Sequence, residues 1–74
     1  MITVQVFHKD SGKPANSIGV SVGFDGIFRG VTGKEFTDSS GNADFDADPG
    51  RGKIYVHGKS VYEGRIEGRT VVYI

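Results

Sequence analysis

From residue 18 to residue 24 every second side chain is apolar: Ile18, Val20, Val22 and Phe24 alternate with Gly19, Ser21 and Gly23. Successive side chains of a strand point to opposite faces, so this spacing predicts a strand over residues 17–24 with one apolar face. The same rhythm recurs along the chain. Residues 2–8 put Ile2, Val4, Val6 and His8 on one face and Thr3, Gln5 and Phe7 on the other. Residues 42–47 set Ala43, Phe45 and Ala47 against Asp44, Asp46 and Asp48. Residues 53–59 set Ile54 and Val56 against Tyr55 and His57. No window carries apolar residues at helical spacing over three turns, so no helix is predicted.

Turn residues separate these runs. Asp10-Ser11-Gly12-Lys13-Pro14, Asp25-Gly26, Thr37-Asp38-Ser39-Ser40-Gly41 and Asp48-Pro49-Gly50 all combine glycine or proline with short polar side chains. A further strand is expected over residues 31–36, with Gly33 weakening it or marking a bulge. Val61 and Tyr62 begin a short extended piece that stops near Gly64. The last strand is expected over residues 66–74. There Ile66, Val72 and Ile74 share parity although Val71 and Tyr73 are also apolar, so either both faces are covered or Gly68 hosts a bulge. Short strands with closely spaced turns predict a small antiparallel β-sandwich of six to seven strands. Its core is expected to hold Val4, Val6, Ile18, Val20, Val22, Phe36, Ala43, Phe45, Ile54, Val56 and Val72.

At 74 residues the chain is one domain spanning 1–74. A chain this short buries roughly 60% of the surface its unfolded form exposes, so the core is thin. With no cysteine there is no disulfide to reinforce it and no thiolate metal site. Nine basic and nine acidic residues cancel, so there is no bulk electrostatic pull toward nucleic acid or an anionic membrane. Nothing approaches the roughly 20 apolar residues of a membrane helix. The first residues read as a strand, not a signal peptide, which predicts a soluble, cytoplasmic chain.

Two stretches resemble a known family. Asp10-Ser11-Gly12-Lys13-Pro14-Ala15 followed by Ile18-Gly19-Val20-Ser21-Val22 is similar to the D-x-x-G-x-P-A … V-x-V opening of transthyretin-like and carboxypeptidase-regulatory-like domains. Thr37-Asp38-Ser39-Ser40-Gly41-Asn42-Ala43-Asp44-Phe45 is similar to their T-D-x-x-G-x-a-x-F signature. The resemblance implies a seven-stranded, prealbumin-like sandwich. Some transthyretin-like proteins hydrolyse 5-hydroxyisourate, using a histidine in the first strand, an arginine after the turn glycine, a later histidine and a C-terminal Tyr-Arg-Gly-Ser. The first two positions hold Gln5 and Asn42, and the chain closes on Val71-Val72-Tyr73-Ile74. The resemblance therefore implies the sandwich and a noncatalytic accessory or binding role, not that reaction.

The polar clusters are weighed on their own chemistry. Asp44, Asp46 and Asp48, with Asp38 nearby, invite a calcium reading, because hard cations want several oxygens. An EF-hand loop would need glycine at Pro49 and glutamate at Tyr55. Side chains two apart on a strand stand roughly 7 Å apart, far for sharing one ion. The cluster reads as the wet side of a strand, and no cofactor is expected. His8 and His57 raise a small hydrolase, but no serine or cysteine stands at a spacing that marks a nucleophile. Ile27, Phe28 and Arg29, between Gly26 and Gly30, offer a loop tip for partner contact. Phe28 with Tyr55, Tyr62 and Tyr73 offers an aromatic strip for carbohydrate. Arg65, Glu67 and Arg69 read as charges that blunt a sheet edge. The leading expectation is a noncatalytic module presenting loops or a sheet edge to a protein partner, with Ile27, Phe28, Arg29, Tyr55 and Tyr62 as contacts. Self-association by edge pairing is a further expectation for so thin a core.

Overall fold

The computed structural model describes residues 1–26 and 30–74. It contains eight strands: β1 (Ile2–Phe7), β2 (Gly19–Phe24), β3 (Gly30–Val31), β4 (Glu35–Phe36), β5 (Asn42–Phe45), β6 (Gly50–Val56), β7 (Lys59–Ile66) and β8 (Arg69–Tyr73). They form two sheets. One has three strands in the order β5-β1-β8. The other runs β3-β2-β6-β7, with β4 sharing the β2 edge with β3. The fold is an all-β sandwich. Its two short dimensions of 19 and 18 Å suit two sheets stacked about 10 Å apart with their side chains.

The alternating runs supply one continuous core. Val4, Val6, Val20, Val22, Ala43, Phe45, Ile54, Val56 and Val72 are buried as their parity requires, and Ile18 packs half-buried against them. Ile2, Ala15, Phe24 and Ile66 join the same cluster. Each fully buried valine or isoleucine contributes about 1.5–3 kcal/mol relative to an exposed one.

Phe36 is the exception among the expected core residues: it is 66% exposed. The cause is a bulge. Gly23 pairs with Val31, and Val20 pairs with Glu35. Over that stretch β2 advances three residues while its partner advances four, so one extra residue is inserted. An insertion of one residue turns every later side chain to the other face. Phe36 consequently lies opposite Gly19 on the outer face, where an unbulged strand would have set it opposite Ile18. The single strand expected over 31–36 is thus two short segments. Between them Thr32 keeps Val22 paired: its N–H donates to Val22 O at 2.8 Å, and its Oγ1 accepts from Val22 N at 3.0 Å.

Three other expectations change. Gly64 does not stop its strand, because β7 runs through it to Ile66. Ile66 ends β7 instead of starting the last strand, and a turn containing Gly68 separates it from β8. That turn carries the chain from one sheet to the other and lays β8 parallel to β1, where antiparallel pairing was expected. Thr3 N–H donates to Gly68 O at 2.8 Å where this pairing begins. His8 lies just past β1 and is exposed, as a strand-end histidine.

Candidate functional site

The two sides of the sandwich are built differently. On one side β4 packs against β5, and the Thr37–Gly41 turn joins them. Thr37 is buried and fully occupied. Its Oγ1 donates to Ala15 O at 2.6 Å and accepts from Ile18 N at 2.9 Å. Its backbone accepts from Ser17 N at 2.9 Å and donates to Ile18 O at 3.0 Å. Asp38 Oδ1 accepts from Ser40 N at 2.9 Å and Asn42 N at 3.0 Å, holding the turn closed. Gly41 carries φ +83°, and a Cβ there would stand 2.5 Å from Val6 O. The Thr37–Gly41 turn is therefore a clasp that joins β1, the 14–18 segment and β5.

On the other side β7 ends the larger sheet and β8 ends the smaller one. They touch near the 67–68 turn, but no ladder joins them among the described residues. Toward the far end of the sandwich a cleft of about 530 Å³ opens between them. Val56, Val61 and Ile74 give it apolar walls, and Lys9, His57, Lys59 and Tyr73 surround them. No Asp or Glu side chain lines it.

Local chemistry fixes these residues. His57 and Gly58 carry φ of 52° and 81° between paired Val56 and Lys59. Two successive positive-φ residues make the two-residue turn that matches the twist of a hairpin. Ile74 is held by its N–H donating to Phe7 O at 2.9 Å and by its carbonyl accepting from Lys9 N at 2.7 Å. Tyr73 stacks on Phe7, with ring centroids 5.9 Å apart. Lys9 and Lys59 form no ion pair among the described residues. The cleft is a local excess of positive charge on a chain whose formal charges cancel.

The candidates read from the sequence do not converge. Ile27, Phe28 and Arg29 lie outside the described residues. Tyr55 is half-buried on the outer face of the larger sheet. A Cβ on Gly23 would stand 3.1 Å from its Cε2 and 3.5 Å from Val31 Cγ2, so the ring lies across Gly23 beside Val31. Tyr62 packs half-buried against the core, and its hydroxyl donates to Arg65 O at 2.7 Å within the same strand. His57 lines the cleft, whereas His8 does not.

Asp44 accepts a 2.6 Å hydrogen bond from Thr3 Oγ1, and Asp38 serves its own turn. Among the described residues no group of three or more His, Asp or Glu side chains is arranged to hold a metal. Arg65 and Arg69 sit on different strands, and Arg65 pairs with Glu67 at 3.5 Å on the surface, a contact worth at most about 1 kcal/mol.

Comparison with known proteins adds no relative. No family model matches the chain, and no curated protein or solved structure matches it. The site is read from geometry alone. Sequence reasoning missed Lys9, Lys59, Val61 and Ile74 as site residues. The one local signal was His57-Gly58 between two extended runs, which sets Lys59 directly across from Val56.

Proposed function

We propose that this chain is a noncatalytic binding module, of the transthyretin-like or carboxypeptidase-regulatory-like kind, that presents a sheet edge to a protein partner. The observation that carries this reading is β8. It has one neighbour, β1, and its other edge is unpaired among the described residues. Gly68 and Ile74 direct their backbone groups to β1. Alternation along the strand then turns the N–H and C=O of Arg69, Val71 and Tyr73 to the free edge. Val71 is 41% and Tyr73 57% exposed. Natural edges are blunted by charge, proline or bulges, and β8 has only Arg69 for that purpose. An exposed row of donors and acceptors on a β-branched strand is the feature that strand addition uses. The clasp at Thr37–Gly41 supports the family resemblance at the level of fold, because both resembling stretches meet in it.

Carbohydrate binding is a second reading, favoured by the Tyr55 ring lying across Gly23 beside exposed Val31. Aromatic faces of this kind stack on sugar rings.

The test is a pull-down from the native cell with tagged wild-type protein and Val71→Pro in parallel. Proline removes an outward N–H without touching the β1 ladder. A partner recovered by the wild type and lost by the variant supports the reading. Equal recovery by both, or turnover of an ester, glycoside or isourate at enzymatic rates, overturns it.

A further inference from the structure

The two sheets differ in width. Three strands, β5-β1-β8, lie over a sheet four rows wide, because β3 and β4 share one row. With β5 packed on β4 at one side, the smaller sheet runs out one strand short at the other. The burial of β7 records the shortfall. Ile66, at the end of β7 where the chain turns into β8, is fully buried. Tyr62 and Val61, further back along β7, are only half-buried, and Val61 lines the cleft. The cleft begins where a fourth strand on the smaller sheet would lie.

We propose that an extended acidic segment of a partner protein fills this row. It pairs with the free edge of β8, sets apolar side chains on Val61 and Ile74, and directs carboxylates to Lys9 and Lys59. This rests on the edge-binding reading above and adds the chemistry of the partner.

Three observations converge on this occupant. The edge requires an extended backbone, because the outward groups of Arg69, Val71 and Tyr73 repeat at strand spacing. The apolar walls of Val56, Val61 and Ile74 require apolar side chains at alternate positions. The end of the cleft carries two lysines and a histidine and no acidic side chain, so the segment that matches it carries carboxylates there. The volume of about 530 Å³ falls within the usual range of binding clefts and takes a few side chains, not a folded domain. A basic segment meets like charge at the same place.

Fluorescence anisotropy with three fluorescein-labelled hexapeptides, TVTVEE, TVTVQQ and TVTVKK, tests the proposal on the whole chain. Wild type is expected to bind TVTVEE at least tenfold more tightly than TVTVKK, with TVTVQQ between them. Lys9→Glu with Lys59→Glu is expected to reverse that order. Val71→Pro is expected to weaken all three at least tenfold. Circular dichroism confirms that each variant is folded, and Lys9→Gln with Lys59→Gln, expected to level the three affinities, replaces the double reversal if that variant is not.

Equal binding of the three peptides, lost in Val71→Pro, overturns the acidic preference and leaves edge binding standing. Acid-selective binding untouched by Val71→Pro overturns both, because the cleft then holds carboxylates without strand addition. No binding of any peptide by the wild type overturns the proposal. So does self-association of the wild type that Val71→Pro abolishes, since a second copy then occupies the row.

Discussion

The two sides of this sandwich show what a small β protein can close and what it can leave open. At the β4–β5 side the turn between the two strands is tied down by hydrogen bonds. Thr37 alone takes part in four hydrogen bonds to the 15–18 segment, and Gly41 lies so close to β1 that no side chain fits. At the β7–β8 side two strand edges part, and between them lie a cleft and two lysines that form no ion pair among the described residues. Stability is concentrated where the chain is bonded to itself, although Asn42 Oδ1 is buried there with no partner among the described residues. Capacity for binding is concentrated where a strand edge borders a cleft.

Substitutions separate the two sides by the size of their effects. The largest is expected at Gly41→Ala. A Cβ there collides with Val6 O, and the position also demands a positive φ. The expected loss is about 3 kcal/mol or more. A chain of 74 residues has roughly 4–11 kcal/mol in total, so urea denaturation should find this variant at or beyond the edge of folding. Thr37→Val comes next. It leaves Ala15 O and Ile18 N without their side-chain partner in a buried setting, at a cost of about 2–4 kcal/mol in the same measurement. The smallest effect is expected on the open side. Tyr73→Ser removes an exposed ring stacked on Phe7 and should change stability by about 1 kcal/mol or less. If Tyr73→Ser proved as costly as Thr37→Val, the division into a structural and a presenting side would fail.

Much of the closed side was legible in the sequence. Period-two runs name the buried faces, because strand parity is a local property: Val20, Val22, Ile54 and Val56 need no knowledge of the fold to be assigned inward. The TDSSG stretch also announces a turn from its residue types alone. Phe36 was not legible, because its face depends on an extra residue counted against β2, and a bulge is a property of a pair of strands. Ile66 and Val72 share parity across a turn, so one strand and two strands look alike from the sequence.

The cleft was the least legible feature. It gathers residues near positions 9, 56–61 and 73–74, and it exists because one sheet has fewer rows than the other. Strand number per sheet is set by the whole topology and leaves no mark on any single run.

The extra residue between β3 and β4 gives this stretch one spare position. Were the Gly33 codon lost, Thr32, Lys34, Glu35 and Phe36 would follow Val31 in unbroken pairing with Val22, Ser21, Val20 and Gly19, and the Phe36 ring would keep its place in water. Substitutions at Phe36 are nearly free because it stands in water, yet a second deletion would set the same ring opposite Val20, in an interior already filled. The local message is written in the count of residues as much as in their identity.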